Sequence, residues 1–410
     1  MINRREFIKG TAAAGAGLIL NPLAGLGGIP ENDSRVIAVA SDNVLTGEKY
    51  NPDAVHRMFG SGLKEMTGEN SLENAWSSMF NPDDVVGIKI NCVGSPKIST
   101  SVTSVNEVIE GLKSAGVKEN NIIVWGRTDM EVRRAGFDLN RGTKGVRYQG
   151  VSPKNGTLFQ YSDGYDSDIF YRNEDGTLKK FRKLMEKDFI RDSSYREIVN
   201  SMTWLYMLVA QGNEKAAKYS QDMRALFYGD ENREKLLEIA KKVIDEFADV
   251  EIEGEDKSCF ANIVTKDVNK LINLCVIKHN IDSGITLALK NIALGVTTNK
   301  VRFHRDFCKA SIAAINSFPC IKDKLVLNIG EAAKISVLNC IGRQIVKDNR
   351  IFFSADPVAM DRIGLDILEE KRIGAGLSSI RHEATHIASS AKAGLGTDDM
   401  KRIDYRQIKI

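Results

Sequence analysis

The chain has few of the residues from which metal clusters and disulfide frameworks are built. It holds five histidines and six cysteines in 410 residues, and no two cysteines stand in the C-x-x-C spacing. Iron–sulfur clusters and zinc knuckles use such closely spaced cysteines, so neither is expected. We expect the cysteines to be buried free thiols.

Other absences exclude further classes of protein. The sequence contains neither G-x-G-x-x-G nor a P-loop, and it has no apolar run of the ~20 residues that a helical membrane span needs. Its 57 basic and 54 acidic residues leave a net charge of +3 without a concentrated basic tract. Nucleic acid is therefore not an expected partner. A hydrophobic content of 42% with 27% charged residues is typical of a globular protein.

The first 30 residues have a character of their own. Paired arginines, Arg4 and Arg5, open the stretch RREFIK, and the weakly apolar stretch TAAAGAGLILNPLAGLG follows it. This pattern resembles a twin-arginine export signal. The resemblance implies the twin-arginine export machinery as a partner and a periplasmic or other extracytoplasmic location. It implies contact with the membrane only through this segment, if the segment is not cleaved.

Alternating apolar patterns beyond the signal segment predict strands and helices in turn. Residues 36–40, 84–91 and 121–127 are β-branched and apolar, as strands are, and residues 104–117 repeat apolar positions at helical spacing. This strand–helix–strand unit predicts parallel strands. Beyond residue 262 the same alternation returns, with Asp356 as the expected N-cap of a helix that begins at Pro357.

Between these two regions, residues 165–258 carry helical patterns joined by short polar turns. The sequence therefore predicts an α/β fold with two α/β subdomains, residues 31–164 and 259–410, each with a largely parallel sheet. Residues 165–258 are expected to form a helical insertion.

The α/β segments resemble the family called domain of unknown function 362. The resemblance is carried by VVGIKINCVGSPKISTS, IIVWGRTDMEVRRAGF, IKHNIDSGITLALKNIALG, SADPVAMDRIGLDIL and GLGTDDMKRIDYRQIKI, and it covers roughly residues 36–155 and 262–408. It implies a fold but no activity, as the family's name concedes. The helical insertion departs from the compact pattern of the family.

The stretch RHEATH places His382, Glu383 and His386 in the H-E-x-x-H spacing of zinc proteases. Such enzymes need a third ligand, and neither a glutamate nor a histidine follows His386. In helical projection the apolar positions of this segment form one stripe, and both histidines fall near the opposite, solvent-facing side. A zinc-dependent hydrolase is therefore only a secondary alternative.

A stronger candidate site surrounds Lys290, whose neighbours in sequence are almost all apolar. A buried ammonium needs a partner or loses its proton, and a desolvated lysine can act as a nucleophile or anchor a cofactor. His279 precedes this lysine and His304 follows it. The alternative is a lysine at a helix end, with the two histidines satisfied by backbone groups in loops.

The order His279, Gly284, Lys290 and His304 is similar, more remotely, to that of the lactate racemase family. In that family the lysine carries a nickel pincer cofactor derived from a pyridine nucleotide, and the histidines bind metal or transfer protons. The resemblance implies catalytic roles for His279, Lys290 and His304, and metal ligation by the two histidines. The segment around Arg127 lacks a histidine that the family has there, so racemisation itself is in doubt.

The loop at residues 91–101 completes the candidate site. It joins the end of a strand to the start of a helix, where backbone N–H groups favour anions and where open α/β sheets bind ligands. Cys92 at the strand tip could act as a nucleophile if its pKa were lowered. A plain helix-cap loop explains the same pattern. The expected ligand-binding residues are Asn91, Lys97, Ser99, Thr100, Ser101, Arg127 and Asn291.

Together these patterns predict an exported protein that binds a small anionic substrate or a metal-containing cofactor in a cleft between two α/β subdomains. Isomerase or racemase-like chemistry and redox chemistry are both open, as is the identity of a transition metal or metal–organic cofactor. The first alternative is a non-enzymatic periplasmic binding or maturation protein, and the second is the zinc-dependent hydrolase.

Overall fold

A computed structural model describes residues 34–152, 164–172, 201, 205, 208–209, 212–226, 232–247, 250, 256–300, 302–303 and 308–410. The export-signal segment, residues 1–30, and His304 lie outside the described residues. Within the described part, no helix combines the length and apolar character required to cross a bilayer.

The first part of the chain alternates strands and helices. The elements are β1 (Ser34–Ala40), β2 (Leu45–Thr46), β3 (Lys49–Tyr50), α1 (Pro52–Thr67), α2 (Leu72–Met79), β4 (Val86–Ile90), α3 (Val102–Ser114), β5 (Ile122–Thr128), α4 (Asp129–Arg134) and β6 (Arg147–Ser152). Helix α1 begins where sequence rules place a start, with Pro52 in its first turn and the Asn51 side chain accepting hydrogen bonds from backbone N–H groups.

The middle part holds a short hairpin and two helices. It comprises β7 (Tyr165–Arg172), α5 (Glu214–Leu226), α6 (Arg233–Phe247) and β8 (Lys257–Ala261), and β7 pairs with β8 in antiparallel fashion. Helices α5 and α6 bury a small hydrophobic cluster of their own, which includes Met223, Leu236 and Val243.

The last part returns to alternating strands and helices. Its elements are β9 (Lys270–Asn280), β10 (Gly284–Thr286), α7 (Ala288–Ala293), α8 (Ser311–Asn316), α9 (Pro319–Lys322), β11 (Leu325–Ser336), β12 (Ile345–Ser354), α10 (Pro357–Gly374), α11 (Thr385–Lys392) and β13 (Ile403–Lys409). Asp356 caps α10, as predicted, by accepting hydrogen bonds from Val358 N and Ala359 N.

A nine-stranded sheet organises the molecule. Its order is β13-β1-β12-β11-β9-β4-β5-β6, with β10 paired to β9. Strands β11, β9, β4, β5 and β6 run parallel to one another, whereas β12 is antiparallel to both of its neighbours. The predicted α/β class with a largely parallel sheet is confirmed. The two predicted subdomains share this sheet, since β1 lies between β12 and β13.

Each face of the sheet carries its own hydrophobic core. Successive residues of β5 alternate between the two cores, as the pleat of a strand requires. One core includes Phe59 of α1 and Trp76 of α2, and the other includes Leu289 of α7 and Ile363 of α10. Because β4, β5 and β9 are parallel, their carboxyl ends meet at one edge, where a ligand site of an α/β sheet is expected.

Candidate functional site

The RHEATH motif does not form a helical zinc site. Helix α11 begins only at Thr385, so His382 and Glu383 lie in the turn that precedes it. The His382 side chain is 75% exposed, whereas His386 is fully buried. The expectation that both histidines face solvent is right for His382 and wrong for His386. The helical projection fails because the segment before Thr385 is not helical.

His386 instead faces a structural carboxylate. Its Nε2 lies 3.6 Å from Asp361 Oδ2, and Asp361 accepts hydrogen bonds from Ala288 N at 2.6 Å and Leu289 N at 3.3 Å. Asp361 thereby satisfies the first N–H groups of α7. Among the described residues, no three histidine, cysteine, aspartate or glutamate side chains are grouped so that they could hold a metal ion.

Lys290 is buried, and its amine has partners. Its Nζ donates to Asn280 Oδ1 at 2.6 Å and to Ser283 Oγ at 2.8 Å. Both acceptors lie at the turn between β9 and β10, so Lys290 ties α7 to that turn. A buried ammonium with two good acceptors is a structural group as readily as a catalytic one.

His279 lies close to the same turn and is almost completely buried. Its Nδ1 makes a hydrogen bond with the carbonyl of Leu338, so Nδ1 carries the proton and Nε2 is left as an acceptor. Burial lowers the pKa of His279 to about 4, and the nearby charge of Arg372 acts in the same direction. The Nε2 atom is 3.9 Å from Glu383 Oε2, too far for a hydrogen bond. The imidazole is therefore neutral at pH 7.

The loop at residues 91–101 binds the protein's own carboxylate. Ser101 caps α3 through a hydrogen bond from Ser104 N at 3.0 Å, and the capping hydroxyl donates to Glu331. Glu331 also accepts from Ser101 N at 2.9 Å. The helix N-terminus that was expected to hold a ligand anion thus already holds Glu331. The hydroxyl of Thr100 is likewise engaged, donating to Leu274 O at 2.8 Å.

The other residues expected from the sequence divide into two groups. Lys97 is exposed and Ser99 is half-buried, so neither lies in a dry site. Asn91 and Asn291, by contrast, lie beside a group of basic side chains that comprises Arg127 and three lysines not predicted from the sequence.

We call this group the cationic cluster and define it as Lys89, Arg127, Lys278 and Lys300. The three lysines are each at most 2% exposed, and the Arg127 side chain is 24% exposed. Lys89 is in β4, Arg127 is near the end of β5 and Lys278 is near the end of β9, so these three members lie at the edge where those parallel strands end. The charge of Arg127 lowers the pKa of every lysine in the cluster, and the charge of Glu131 raises it.

Hydrogen bonds fix two of the lysines. Lys278 Nζ donates to Asn91 Oδ1 at 2.6 Å and to the carbonyl of Val93. Lys89 Nζ donates to the carbonyl of Ile90 and lies 3.4 Å from Asn291 Oδ1. Asn91 and Asn291, both expected to bind ligand, are therefore acceptors that orient the lysines.

Close packing positions Lys89 further. Its Nζ lies 5.2 Å from the centre of the Trp125 ring, a favourable arrangement for a cation. At Gly295, an added Cβ would lie 2.1 Å from Lys89 Cε. Glycine at position 295 therefore leaves the room that the lysine side chain occupies.

Glu131 is the acidic member next to the cluster. Arg127 Nε donates to Glu131 Oε2 at 2.9 Å, and Arg127 Nη2 donates to the second carboxylate oxygen. Although burial raises the pKa of Glu131, Arg127 outweighs that effect and holds it below its usual value. Glu131 therefore stays ionised and neutralises one of the four basic groups.

The three lysines have lowered pKa values, chiefly because they are buried. Burial lowers the pKa of Lys89 and that of Lys278 to about 8 each, and Arg127 acts in the same direction. The pKa of Lys300 falls well below its usual range for the same two reasons. Burial also raises the pKa of Cys92 to about 12, so its thiol is not an activated nucleophile.

The signal for this cluster is present in the sequence. Lys89 interrupts the strand VGIKI and Lys278 interrupts VIKHN, so each has apolar neighbours just as Lys290 does. Applied to every lysine, the same argument would have selected them. Their proximity in space follows from the pairing of β4 with β9, which sequence patterns do not give.

Comparison with known proteins adds little about activity. No curated protein matches the chain. A crystal structure of a protein from Thermotoga maritima aligns with 85% of this chain at 9% identity and a TM-score of 0.33. The chain spans 60% of the length of that protein.

The family model for DUF362, a domain of unknown function, matches residues 201–366. This range includes α5, α6, β9, α7 and β11, so it begins inside the segment expected to be an insertion and covers Lys278, Lys290 and Lys300. Over this range the chain is similar to DUF362.

Proposed function

We propose that the protein binds a small anion carrying two or more negative charges, a phosphate or a carboxylate compound, at the cationic cluster. The observation that carries the proposal is the excess of buried basic groups. Within the described part of the chain, Arg127 is paired with Glu131, and none of the three buried lysines makes an ion pair with an acidic side chain.

The energetics favour an anionic ligand over a neutral one. Placing an ammonium in a dry interior is unfavourable unless an opposite charge and hydrogen bonds offset the lost hydration. A ligand with two negative charges would offset the excess and raise the lowered pKa values of Lys89 and Lys278. Arg127 is the most exposed member, and Glu131 takes only part of its five donors. We infer that the ligand enters past Arg127.

The test compares two lysines that differ in burial. Phosphate, pyrophosphate and citrate are titrated into the purified full chain at low salt by calorimetry. Lys300→Met should weaken binding at least tenfold, because it removes a buried amine that would become protonated beside a bound anion and donate hydrogen bonds to it. Lys97→Met should bind like the wild type, since Lys97 is exposed in the neighbouring loop.

The pH profile provides a second readout. Because Lys89 and Lys278 lose their protons near pH 8, affinity for phosphate should fall as pH rises through 8 and binding should take up protons there. If no anion binds, or if Lys97→Met weakens binding as much as Lys300→Met, the proposal is wrong.

A metal-containing cofactor remains a separate prediction. The neutral Nε2 of His279 is suited to ligation, and Lys290 lies near it, as the influence of Lys290 on the His279 pKa indicates. Elemental analysis of the protein from its native host tests the idea. A stoichiometric transition metal that is lost in His279→Ala, and kept in His382→Ala, would support it.

Export by the twin-arginine route is likewise a prediction from residues 1–30. Replacing Arg4 and Arg5 with lysine keeps the charge of the segment. The variant should accumulate in the cytoplasm of a host with a functional twin-arginine system, whereas the wild-type chain should be exported. Equal export of both would contradict the prediction.

A further inference from the structure

Lys300 differs from the other lysines of the cationic cluster in its hydrogen bonding. Lys89 and Lys278 each donate to oxygen acceptors. For Lys300 Nζ, by contrast, no hydrogen bond or ion pair is found among the residues that the structure describes, although the residue is only 2% exposed. All hydrogen-bonding positions of its amine are therefore available to a ligand, whereas Lys89 and Lys278 already use some of theirs within the protein.

The backbone on both sides of Lys300 is held in place. Thr298 exchanges hydrogen bonds with Cys259 of β8: Cys259 N donates to Thr298 Oγ1 at 2.8 Å, and Thr298 N donates to Cys259 O at 2.9 Å. Arg302 is fully buried, and its Nε donates to Ser258 Oγ at 2.9 Å. Strand β8 thus fixes the short segment from which the lysine projects. A rigid mounting is what a precisely placed reactive group requires.

The surroundings of Lys300 favour the neutral amine. Burial and the charges of Arg127 and Lys89 lower its pKa, and Glu131 only partly opposes them. A lysine desolvated next to other cations is nucleophilic at neutral pH, because the free amine has an unshared electron pair.

We propose that Lys300 is a catalytic nucleophile that forms an imine with a small aldehyde or ketone bearing a carboxylate or phosphate, whose negative charge is held by Lys89, Lys278 and Arg127. This inference rests on the proposed anion site. It adds the substrate class, which is a carbonyl compound with an anionic group within a few bonds of the carbonyl carbon.

The step balances without a further reactant. The Lys300 nitrogen attacks the carbonyl carbon and a C–N bond forms while the carbonyl oxygen gains a proton. The resulting carbinolamine loses its oxygen as water, taking up the second proton from nitrogen, and a C=N bond remains. Nothing is oxidised or reduced. The imine withdraws electrons from the neighbouring carbon, which is the basis of lysine-dependent chemistry next to a carbonyl group.

Reductive trapping tests the proposal directly. The full chain at pH 8 and low salt is incubated with glyoxylate or with glycolaldehyde phosphate, reduced with borohydride, and digested for peptide mass spectrometry. Acetaldehyde, which has a carbonyl but no charge, is the matched control reagent. We expect Lys300 to be the principal modified residue with the anionic aldehydes, with at least tenfold less modification by acetaldehyde and protection by inorganic phosphate. Whichever anionic aldehyde labels Lys300 faster identifies the preferred charged group.

Two variants complete the design. Lys300→Arg has no amine that can form an imine and should lose the trapped adduct, whereas Lys97→Arg, a change at an exposed position, should keep it. The wild-type peptide map stands even if a variant does not fold. If phosphate binds but Lys300 is not modified, the imine proposal is wrong and the anion site survives. If phosphate does not bind and modification is spread over exposed lysines, both fail.

Discussion

At the scale of single residues, each lysine of the cationic cluster lowers the stability of the ligand-free protein. Its folded-state pKa lies below the value of the unfolded chain, so the unfolded state holds the proton more tightly. Functional sites commonly retain such unfavourable charges because the function requires them. Replacing them increases stability but removes the function.

Lys89→Met should therefore stabilise the ligand-free protein at pH 7. Methionine fills a similar volume beside Trp125 without a buried charge, and we expect a gain of about 1–2 kcal/mol in the free energy of unfolding, together with weaker phosphate binding. In the wild type the penalty is present below pH 8 and disappears as pH rises from about 8 to the ordinary value of 10.5, so the gain should shrink over that window. Urea unfolding at pH 7 and pH 9.5 measures both effects. Exposed Lys97→Met is the control, and a destabilised Lys89→Met at pH 7 would contradict the argument.

His279 should give a pH dependence at the acidic end. Its pKa falls from 6.5 in the unfolded chain to about 4 in the folded one, so stability is fully present above pH 6.5 and is lost as pH falls toward 4. His279→Asn places an amide near the Nδ1 position and does not titrate. The wild type should lose up to about 3 kcal/mol more than the variant between pH 6.5 and 4, measured by urea unfolding. Parallel profiles for the two proteins would show that His279 does not titrate as described.

The sequence predicted the properties of single residues correctly where those properties depend on neighbours along the chain. The apolar neighbours of Lys290 indicated its burial, and the D-P pair indicated a helix that begins at Pro357 with Asp356 as its N-cap. The partners of Lys290 and Lys278 were not predictable. Lys290 reaches Asn280 only because of the turn after β9, and Lys278 reaches Asn91 only because β9 pairs with β4.

At the scale of elements, glycines within one helix show how packing decides the sign of a substitution. Helix α1 contains Gly60 and Gly62, two positions apart. A Cβ at Gly60 would meet no atom within 4 Å, whereas a Cβ at Gly62 would lie 2.3 Å from the Phe353 ring. The close approach of α1 to β12 therefore depends on Gly62.

Gly60→Ala and Gly62→Ala should have opposite effects. Alanine at 60 restricts the unfolded chain and should add about 0.5–1 kcal/mol to the free energy of unfolding. Alanine at 62 displaces the Phe353 ring and should remove about 1–3 kcal/mol. Each variant is the control for the other in thermal or urea unfolding, since both make the same chemical change in the same helix. Equal shifts would mean that the helix does not pack as described.

The sequence predicted the boundaries of elements that have strong local signals. The prediction was wrong where a motif was assumed to be helical without such a signal. The runs VIAVA and NIIVWGR correspond to β1 and β5, because β-branched apolar residues favour buried strands. RHEATH was treated as helical from its first residue, yet α11 starts at Thr385. That start exposes His382 and buries His386, so a spacing in sequence did not correspond to a face of a helix.

At the scale of the whole molecule, the sheet joins distant parts of the chain. The order of its strands was not predictable, because strand pairing depends on contacts between residues that are far apart in sequence. Strand β1, near the start of the described chain, pairs with β13 near the end and with β12. The cationic cluster has the same origin, since β4, β5 and β9 assemble it from both halves.

This interleaving predicts that the two halves do not fold separately. A fragment of residues 31–164 contains β1, β4, β5 and β6 but neither neighbour of β1, so the buried residues Val36 to Val39 would lose their partners. An unpaired apolar strand is an aggregation site rather than a stable edge. Alone, the fragment should be insoluble or should give a poorly dispersed amide NMR spectrum without cooperative unfolding.

Co-expression with residues 165–410 should restore solubility and phosphate binding, because it supplies β12 and β13 for β1 and β9 for β4. The intact chain, unfolded under the same conditions, is the reference for cooperativity. A well-dispersed spectrum and a sharp transition for residues 31–164 alone would instead establish an independent domain. The cationic cluster would then lie between two separately folded units rather than within one sheet, and its lysines would owe their burial to docking of those units.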